Sequence, residues 1–210
     1  MHPAVALALA YLSGSFPTAY LAGRTKGIDL RKHGSGNLGT TNVFRVLGWQ
    51  LGILVFVVDA LKGALPVIFL PGLVHASRPD LWALAFGVAA IAGHVKPVFL
   101  LGKGGGKGVA TATGVFASLA PVAVLGTFAL FVIVVLASGY VSLGSLVSAV
   151  LLPIAVLLTQ GASPVFWIAA AVGAFVVWMH RGNIGRLRRG EESGFRRRGV
   201  AKPPLTEEAE

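Results

Sequence analysis

The chain contains no cysteine. Disulfides, thiolate metal sites and a cysteine nucleophile are therefore excluded. It is also poor in charge. Only 12% of its 210 residues are Asp, Glu, Lys or Arg, about half the ~25% usual in soluble domains. Acidic residues are the scarcest part of that set, 8 against 18 Lys and Arg, which leaves a formal net charge of +10. In a water-soluble protein this balance would point to nucleic acid. Here 55% of residues are hydrophobic and the mean hydropathy is +0.77. No nucleic acid partner is expected, because excess Lys and Arg is what the cytoplasmic loops of membrane proteins carry. No Lys or Arg precedes the first apolar run. The basic leader of a signal peptide is missing, and that run is expected to be a retained span.

What the chain has in quantity is long apolar sequence. A spanning helix needs about 20 apolar residues, and six runs qualify: 3–23, 46–70, 81–101, 109–137, 140–159 and 163–180. The loop after the first run carries Arg24, Lys26, Arg31, Lys32 and Arg45. The C-terminal region carries Arg181, Arg186, Arg188, Arg189, Arg196, Arg197 and Arg198. Both belong in the cytoplasm, with the N-terminus outside. Ends on opposite sides need an odd number of crossings, which six is not. The run 109–137 is the one to divide: as a single helix it would reach about 43 Å against a hydrocarbon core of about 30 Å. Pro121 near its middle removes a helical hydrogen bond. Division there predicts an all-α integral membrane protein of seven transmembrane helices, two of them short. Five crossings with re-entrant segments would satisfy the same parity. Residues 1–192 are expected to form one membrane-embedded domain. Residues 193–210 are expected to be a disordered cytoplasmic tail, basic, then Pro-Pro, then acidic.

Three polar islands interrupt the apolar runs: HGSGNLGTTNVFR (33–45), GKGGGKGVAT (102–111) and HRGNIGRLRRGEE (180–192). Each supplies groups that bind anions. In the first, Ser35, Asn37, Thr40, Thr41 and Asn42 offer hydroxyls and amides. Gly34, Gly36 and Gly39 permit turns whose backbone N–H groups point at an anion, and the guanidinium fork of Arg45 suits phosphate. In the second, Gly104, Gly105, Gly106 and Gly108 surround Lys107 at a helix start, whose dipole favours negative charge. The Walker pattern fails here, because Leu101 stands where its first glycine belongs and Gly108 where Ser or Thr belongs. An NTPase is excluded on that ground. In the third, His180 and Asn183 share a face if the helix continues.

Other candidates are weaker. His94 lies in an apolar run and reads as a structural histidine. His75 and Asp80 match an H-x4-D pattern, but the predicted topology puts them outside, away from the islands. Asp59 and Lys62 lie within a span at a spacing that allows them to pair, and an intramembrane pair is either structural or functional. No metal site is expected, since no His/Asp/Glu cluster has ligand spacing.

Taken in order, the islands resemble the bacterial acyl-phosphate:glycerol-3-phosphate acyltransferases, the PlsY family. The resemblance runs from about residue 11 to 192. It is carried by SGSFP (13–17), Asp29, Arg31 and GSGNLGTTNVFR (34–45), by GHVKP (93–97) with GGKGVAT (105–111), and by the whole third island. Two departures stand out. The glycine run before Lys107 is one residue longer than is usual in the family, and Gly102 replaces a common aromatic residue. The resemblance implies a seven-helix enzyme of the bacterial cytoplasmic membrane, its active site facing the cytoplasm. It would move a fatty acyl group from acyl phosphate to the sn-1 hydroxyl of glycerol 3-phosphate, giving 1-acylglycerol 3-phosphate (lysophosphatidate) and phosphate. This is the first step of bacterial phospholipid synthesis. No cofactor is implied, and functional coupling to the enzyme that makes acyl phosphate is. On this reading Ser35, Arg45, Lys107, His180 and Asn183 are catalytic, with His180 and Asn183 positioning the glycerol. Gly36, Asn37, Thr41, Asn42, Gly104, Gly105, Gly106 and Gly108 bind substrate. Two rival classes stay open at this point: a transporter of phosphorylated solutes, for which Asp59 and Lys62 argue, and a membrane scaffold acting through its basic tail.

Overall fold

The computed structural model describes residues 1–74 and 77–194. His75 of the H-x4-D match and residues 195–210 of the expected tail lie outside the described residues. Asp80, the other half of that match, pairs with Arg78 at 3.0 Å on the surface.

Among the described residues, ordered structure is helical throughout. The helices are α1 (Pro3–Ser15), α2 (Thr18–Arg24), α3 (Thr40–Leu47), α4 (Trp49–Leu73), α5 (Pro79–Val95), α6 (Val109–Leu119), α7 (Pro121–Ser138), α8 (Val141–Gln160), α9 (Pro164–Met179) and α10 (Arg181–Arg188). Short 3₁₀ turns occupy Leu30–Lys32 and Val98–Leu100. Five helical stretches are long and apolar enough to cross a membrane: Pro3–Arg24, Trp49–Leu73, Pro79–Leu100, Pro121–Ser138 and Val141–Gln160. Counting α9 and α10 together across their 55° bend gives a sixth.

The break expected near Pro121 is present. Ala120 leaves the helical region (φ −147°, ψ 63°), and Pro121 opens α7, where its missing N–H leaves no helical bond unmade. The two halves are unequal, contrary to the expectation of two short spans. At 18 residues α7 has full spanning length, whereas α6, with 11, reaches only about 16 Å. A second break, at Phe16-Pro17, separates α1 from α2. Proline at position 17 removes the donor that would have continued the helix. The first island is not a loop throughout: its second half, Thr40–Leu47, is α3, and Gly48 (φ 93°) turns the chain into α4.

Small residues set how closely the helices approach. At Gly114 an added methyl group would overlap the Ala60 carbonyl of α4, and at Gly14 it would overlap the Ala90 carbonyl of α5. This is the packing expected where lipid offers helices no hydrophobic drive to associate. Two ends of the bundle can be told apart. At one, the Met1 amino group donates to the Leu73 carbonyl (2.7 Å), and Gln160 Nε2 donates to the Leu119 carbonyl (2.9 Å). At the other, Arg45 Nη2 donates to the Ser193 carbonyl (3.2 Å), Ser142 Oγ donates to Glu192 (2.7 Å) and Lys107 reaches Asn183. All three polar islands meet at this second end.

Candidate active site

The second and third islands are joined by a chain of hydrogen bonds. Lys107 Nζ donates to Asn183 Oδ1. Asn183 Nδ2 donates to Glu192 Oε1 at 2.6 Å, and Ser142 Oγ donates to the same oxygen at 2.7 Å. Arg186 Nε donates to Glu192 Oε2 at 2.7 Å. Glu192 is 4% exposed although it lies near the end of a polar segment. Burial would raise its carboxyl, but the hydrogen bonds from Asn183, Ser142 and Arg186 outweigh it and hold the group below its usual value. The carboxylate is therefore ionised, and it orients Asn183 toward Lys107.

Burial pulls Lys107 down to about 8. The Glu192 carboxylate opposes this, and the Arg186 and Arg45 cations add to it. Lys107, Arg186 and Arg45 thus lie close together with Glu192 as their nearby carboxylate, a net positive corner suited to an incoming anion. If Lys107 must be cationic to hold that anion, the group is charged below about pH 8 and neutral above it. Turnover per unit substrate, kcat/KM, is then expected to fall as pH rises through that value. Lys107→Arg is expected to carry this limb upward, because a guanidinium stays charged. The pH profiles of the two proteins check this, and coincident limbs would count against it.

The backbone around Lys107 adds further groups that an anion could meet. Gly104 (φ 79°) and Gly108 (φ 85°) adopt the left-handed region that favours glycine, and Gly108 caps α6 without any side-chain hydrogen bond to its first turn. The α6 N–H groups are thus left for an anion. The first island packs on this loop from above: Asn37 Nδ2 donates to the Gly105 carbonyl (3.4 Å).

His180 sits at the bend between α9 and α10 and is 3% exposed. The helix does not continue straight through it, as the i, i+3 argument assumed, but the bend still keeps His180 and Asn183 in the same corner. Its Nδ1 lies 2.8 Å from the Val176 carbonyl. A carbonyl only accepts, so Nδ1 carries a proton, and Nε2 is the ring nitrogen left free of this bond.

The first island divides into two roles. Arg45 faces the site end through its bond to Ser193. Ser35 is exposed, and its hydroxyl joins none of the bonds that tie Lys107, Asn183 and Glu192 together. Asn42 is 1% exposed and fully engaged: Oδ1 accepts from the Ser35 N–H (2.9 Å), and Nδ2 donates to the carbonyls of His33 (3.0 Å) and Leu30 (3.3 Å). It braces the turn at Gly34 and Gly36. Thr41 lies half-buried in the first turn of α3. Among the described residues no three His, Asp or Glu side chains gather as a metal site requires. Sequence reasoning missed Glu192, Ser142 and Arg186 as site residues. An acid among arginines was the available signal for Glu192; Ser142, one hydroxyl among many in the spans, carried none.

Beneath the polar corner lies an apolar cavity of about 80 Å³, lined by Phe56, Val109, Thr127, Phe128, Leu152 and Val176 among others. It starts at Val109, next to the glycine loop, and at Val176, whose carbonyl holds His180. Thr113, Thr127 and Ser145 also line it, but their hydroxyls donate to carbonyls of their own helices. They therefore present carbon to the cavity. Ala112 and Val124 in its wall also belong to the packed apolar cluster that includes Phe116, Val156 and Ala169.

A bundle that is all-helical among the described residues, with five stretches long and apolar enough to cross a membrane, is an integral membrane protein, and its cationic corner lies above an apolar cavity. A family model described as glycerol-3-phosphate acyltransferase matches residues 4–190. Curated relatives named glycerol-3-phosphate acyltransferase include one from Geotalea daltonii, 45% identical over 90% of this chain and 95% of that protein. Another, from Geobacter metallireducens, is 47% identical over 90% and 96%. Among solved structures, PlsY, described as an integral membrane glycerol 3-phosphate acyltransferase, superposes in its glycerol 3-phosphate form with a TM-score of 0.85. It is 36% identical, over 92% of this chain and 95% of that one. Its lysophosphatidic acid form gives 0.83 at 35% identity. The chain belongs to the glycerol-3-phosphate acyltransferase family.

Proposed function

We propose that this membrane enzyme of phospholipid biosynthesis transfers a fatty acyl group from acyl phosphate to the sn-1 hydroxyl of glycerol 3-phosphate. The single observation that carries the reading is the Lys107–Asn183–Glu192 chain set directly above the apolar cavity. One part suits phosphate, the other an acyl tail, and the acyl carbonyl falls between them. Arg45, Lys107, Ser35 and the N–H groups of Gly104–Gly108 hold the two phosphates. His180 Nε2 accepts a hydrogen bond from the glycerol hydroxyl, and Asn183 orients the glycerol. The hydroxyl oxygen attacks the carbonyl carbon, the bond from carbon to the phosphate oxygen breaks, and phosphate leaves. Acyl phosphate is already activated, so catalysis rests on positioning and on stabilising the developing charge. The hydroxyl proton has two acceptors at hand, the departing phosphate and His180.

The bundle is placed with the island end toward the cytoplasm of a bacterial inner membrane and with seven crossings, α6 being the short one. The excess of Lys and Arg at that end supports this orientation. Residues 1–192 act as one membrane-embedded unit, with functional coupling to the enzyme that supplies acyl phosphate. The test is phosphate release from palmitoyl phosphate by the purified protein, with and without glycerol 3-phosphate. Release that needs both, with lysophosphatidate appearing, is expected; no release from folded protein would overturn the reading.

The cavity makes its own prediction. Ala112, which lines it, is 6% exposed. Ala112→Phe fills the upper part and is expected to favour octanoyl over palmitoyl phosphate in kcat/KM by roughly 10-fold relative to the parent. Competition between the two donors measures the ratio, and an unchanged ratio would place the acyl chain elsewhere.

A further inference from the structure

Three buried polar side chains lie below the glycine loop, inside the membrane-spanning helices, and the mechanism above uses none of them. Asp59 (1% exposed) and Lys62 (6%) on α4 pair at 2.7 Å. Lys62 Nζ also donates to the Phe16 carbonyl (3.0 Å), at the break between α1 and α2. Ser13 Oγ, one turn earlier, donates to the Lys62 carbonyl (3.0 Å). The pair thus pins the α1–α2 break to the middle of α4. His94, near the end of α5, is 6% exposed, with Nδ1 3.9 Å from Asp59 Oδ2.

The far edge of the His94 ring touches the loop. A methyl group added to Gly106 would overlap His94 Nε2, Cε1 and Cδ2, and these are its three nearest neighbours. One added to Gly105 would overlap the Val95 and His94 carbonyls. The loop therefore rests with no clearance on the end of α5, and the ring is what stands under the residue preceding Lys107. From the other side, Asn37 holds the Gly105 carbonyl. A buried ion pair is weak evidence for stability alone, but this one lies beside a ring that stands directly beneath the glycine loop.

We infer that His94, buried beside the Asp59–Lys62 pair, is a positioning residue that sets the height of Gly106 and so aims Lys107 and the loop N–H groups at the substrate phosphate. This rests on the acyl-transfer reading above. The contact is steric, which allows a test by exchange of size. Gly106→Ala is expected to lose roughly 100-fold in kcat/KM, the scale of a 1 Å misplacement. His94→Ala is expected to raise KM for the substrate whose phosphate the loop holds by about 10-fold, with kcat and the KM of the other substrate changed less. The double variant His94→Ala/Gly106→Ala returns the space to the methyl group. It is expected to recover at least about 10-fold over Gly106→Ala.

The experiment is steady-state phosphate release from palmitoyl phosphate and glycerol 3-phosphate, each varied in turn, for the parent and three variants, with thermal unfolding of each. If Gly106→Ala does not fold, a folded and active double variant is the same rescue. A double variant no better than Gly106→Ala, or a His94→Ala protein with both KM values at parental level, would overturn the inference. An inactive parent would overturn the functional reading and this inference with it; an active parent without rescue overturns only the inference.

Discussion

Lys107→Ala is expected to lower kcat/KM for acyl transfer by roughly 100- to 1,000-fold, about 2.7–4 kcal/mol of lost charge stabilisation. Steady-state phosphate release measures it. The thermal midpoint is expected to move little. Lys107 lies in a loop outside the helices, and what it gives up on removal is a charge already destabilised by burial. Its partner Asn183 keeps its second bond, to Glu192. Near-parental turnover would remove Lys107 from the phosphate site. A collapse of the melting curve would instead make it a structural residue, joining the loop to α10.

The second large effect is expected at Glu192, through a different route. This side chain need not touch substrate; three donors depend on it: Ser142 on α8, and Asn183 and Arg186 on α10. Glu192→Ala leaves all three without their acceptor; the two buried ones, Ser142 and Asn183, cost about 1–3 kcal/mol each when orphaned, while the part-exposed Arg186 turns to solvent. Both stability and activity are expected to fall, the activity by roughly 100-fold as Asn183 loses its orientation. Glu192→Gln keeps an acceptor for Ser142 and Asn183 but leaves Arg186 unmatched, and it should fall between. Melting and turnover measured on the same samples separate the two losses. An Ala variant with a parental midpoint would mean that the network holds nothing in place.

Much of this was legible because polarity is rare in the chain. Against long apolar runs, Lys107 among its glycines and His180 with Asn183 stand out, and the structure draws Lys107 and Asn183 into contact. The α6–α7 break could be read from Pro121 and from the excessive length of the run. Pro17 carried the same signal for α1–α2, but the first run was short enough to pass as one helix. Thr40–Arg45 belongs by sequence to the polar island and Val46–Leu47 to the second apolar run, so no separate helix is legible there. As α3, this stretch buries Val43 and the Asn42 amide, which serves the backbone instead of facing outward. Asp59 with Lys62 could be paired by spacing on one helix. That His94 joins them could not, since Asp59, His94 and Gly106 come from separate segments, and no local periodicity encodes their meeting.

The short α6 sets the depth of the whole site. Gly63, the fifteenth residue of α4, packs on the carbonyl of Thr111, the third residue of α6. The glycine loop therefore begins roughly 15–20 Å down the axis of α4, at 1.5 Å per residue. On the reading proposed above, phosphate is received between the helices, below the end of α4, and not on a flat basic surface washed by counterions. In such surroundings each fixed charge acts at low effective dielectric, and mobile salt screens it far less than it screens an exposed patch. Added salt should slow the arrival of substrate from solution while leaving the strength of its grip, once seated, nearly untouched.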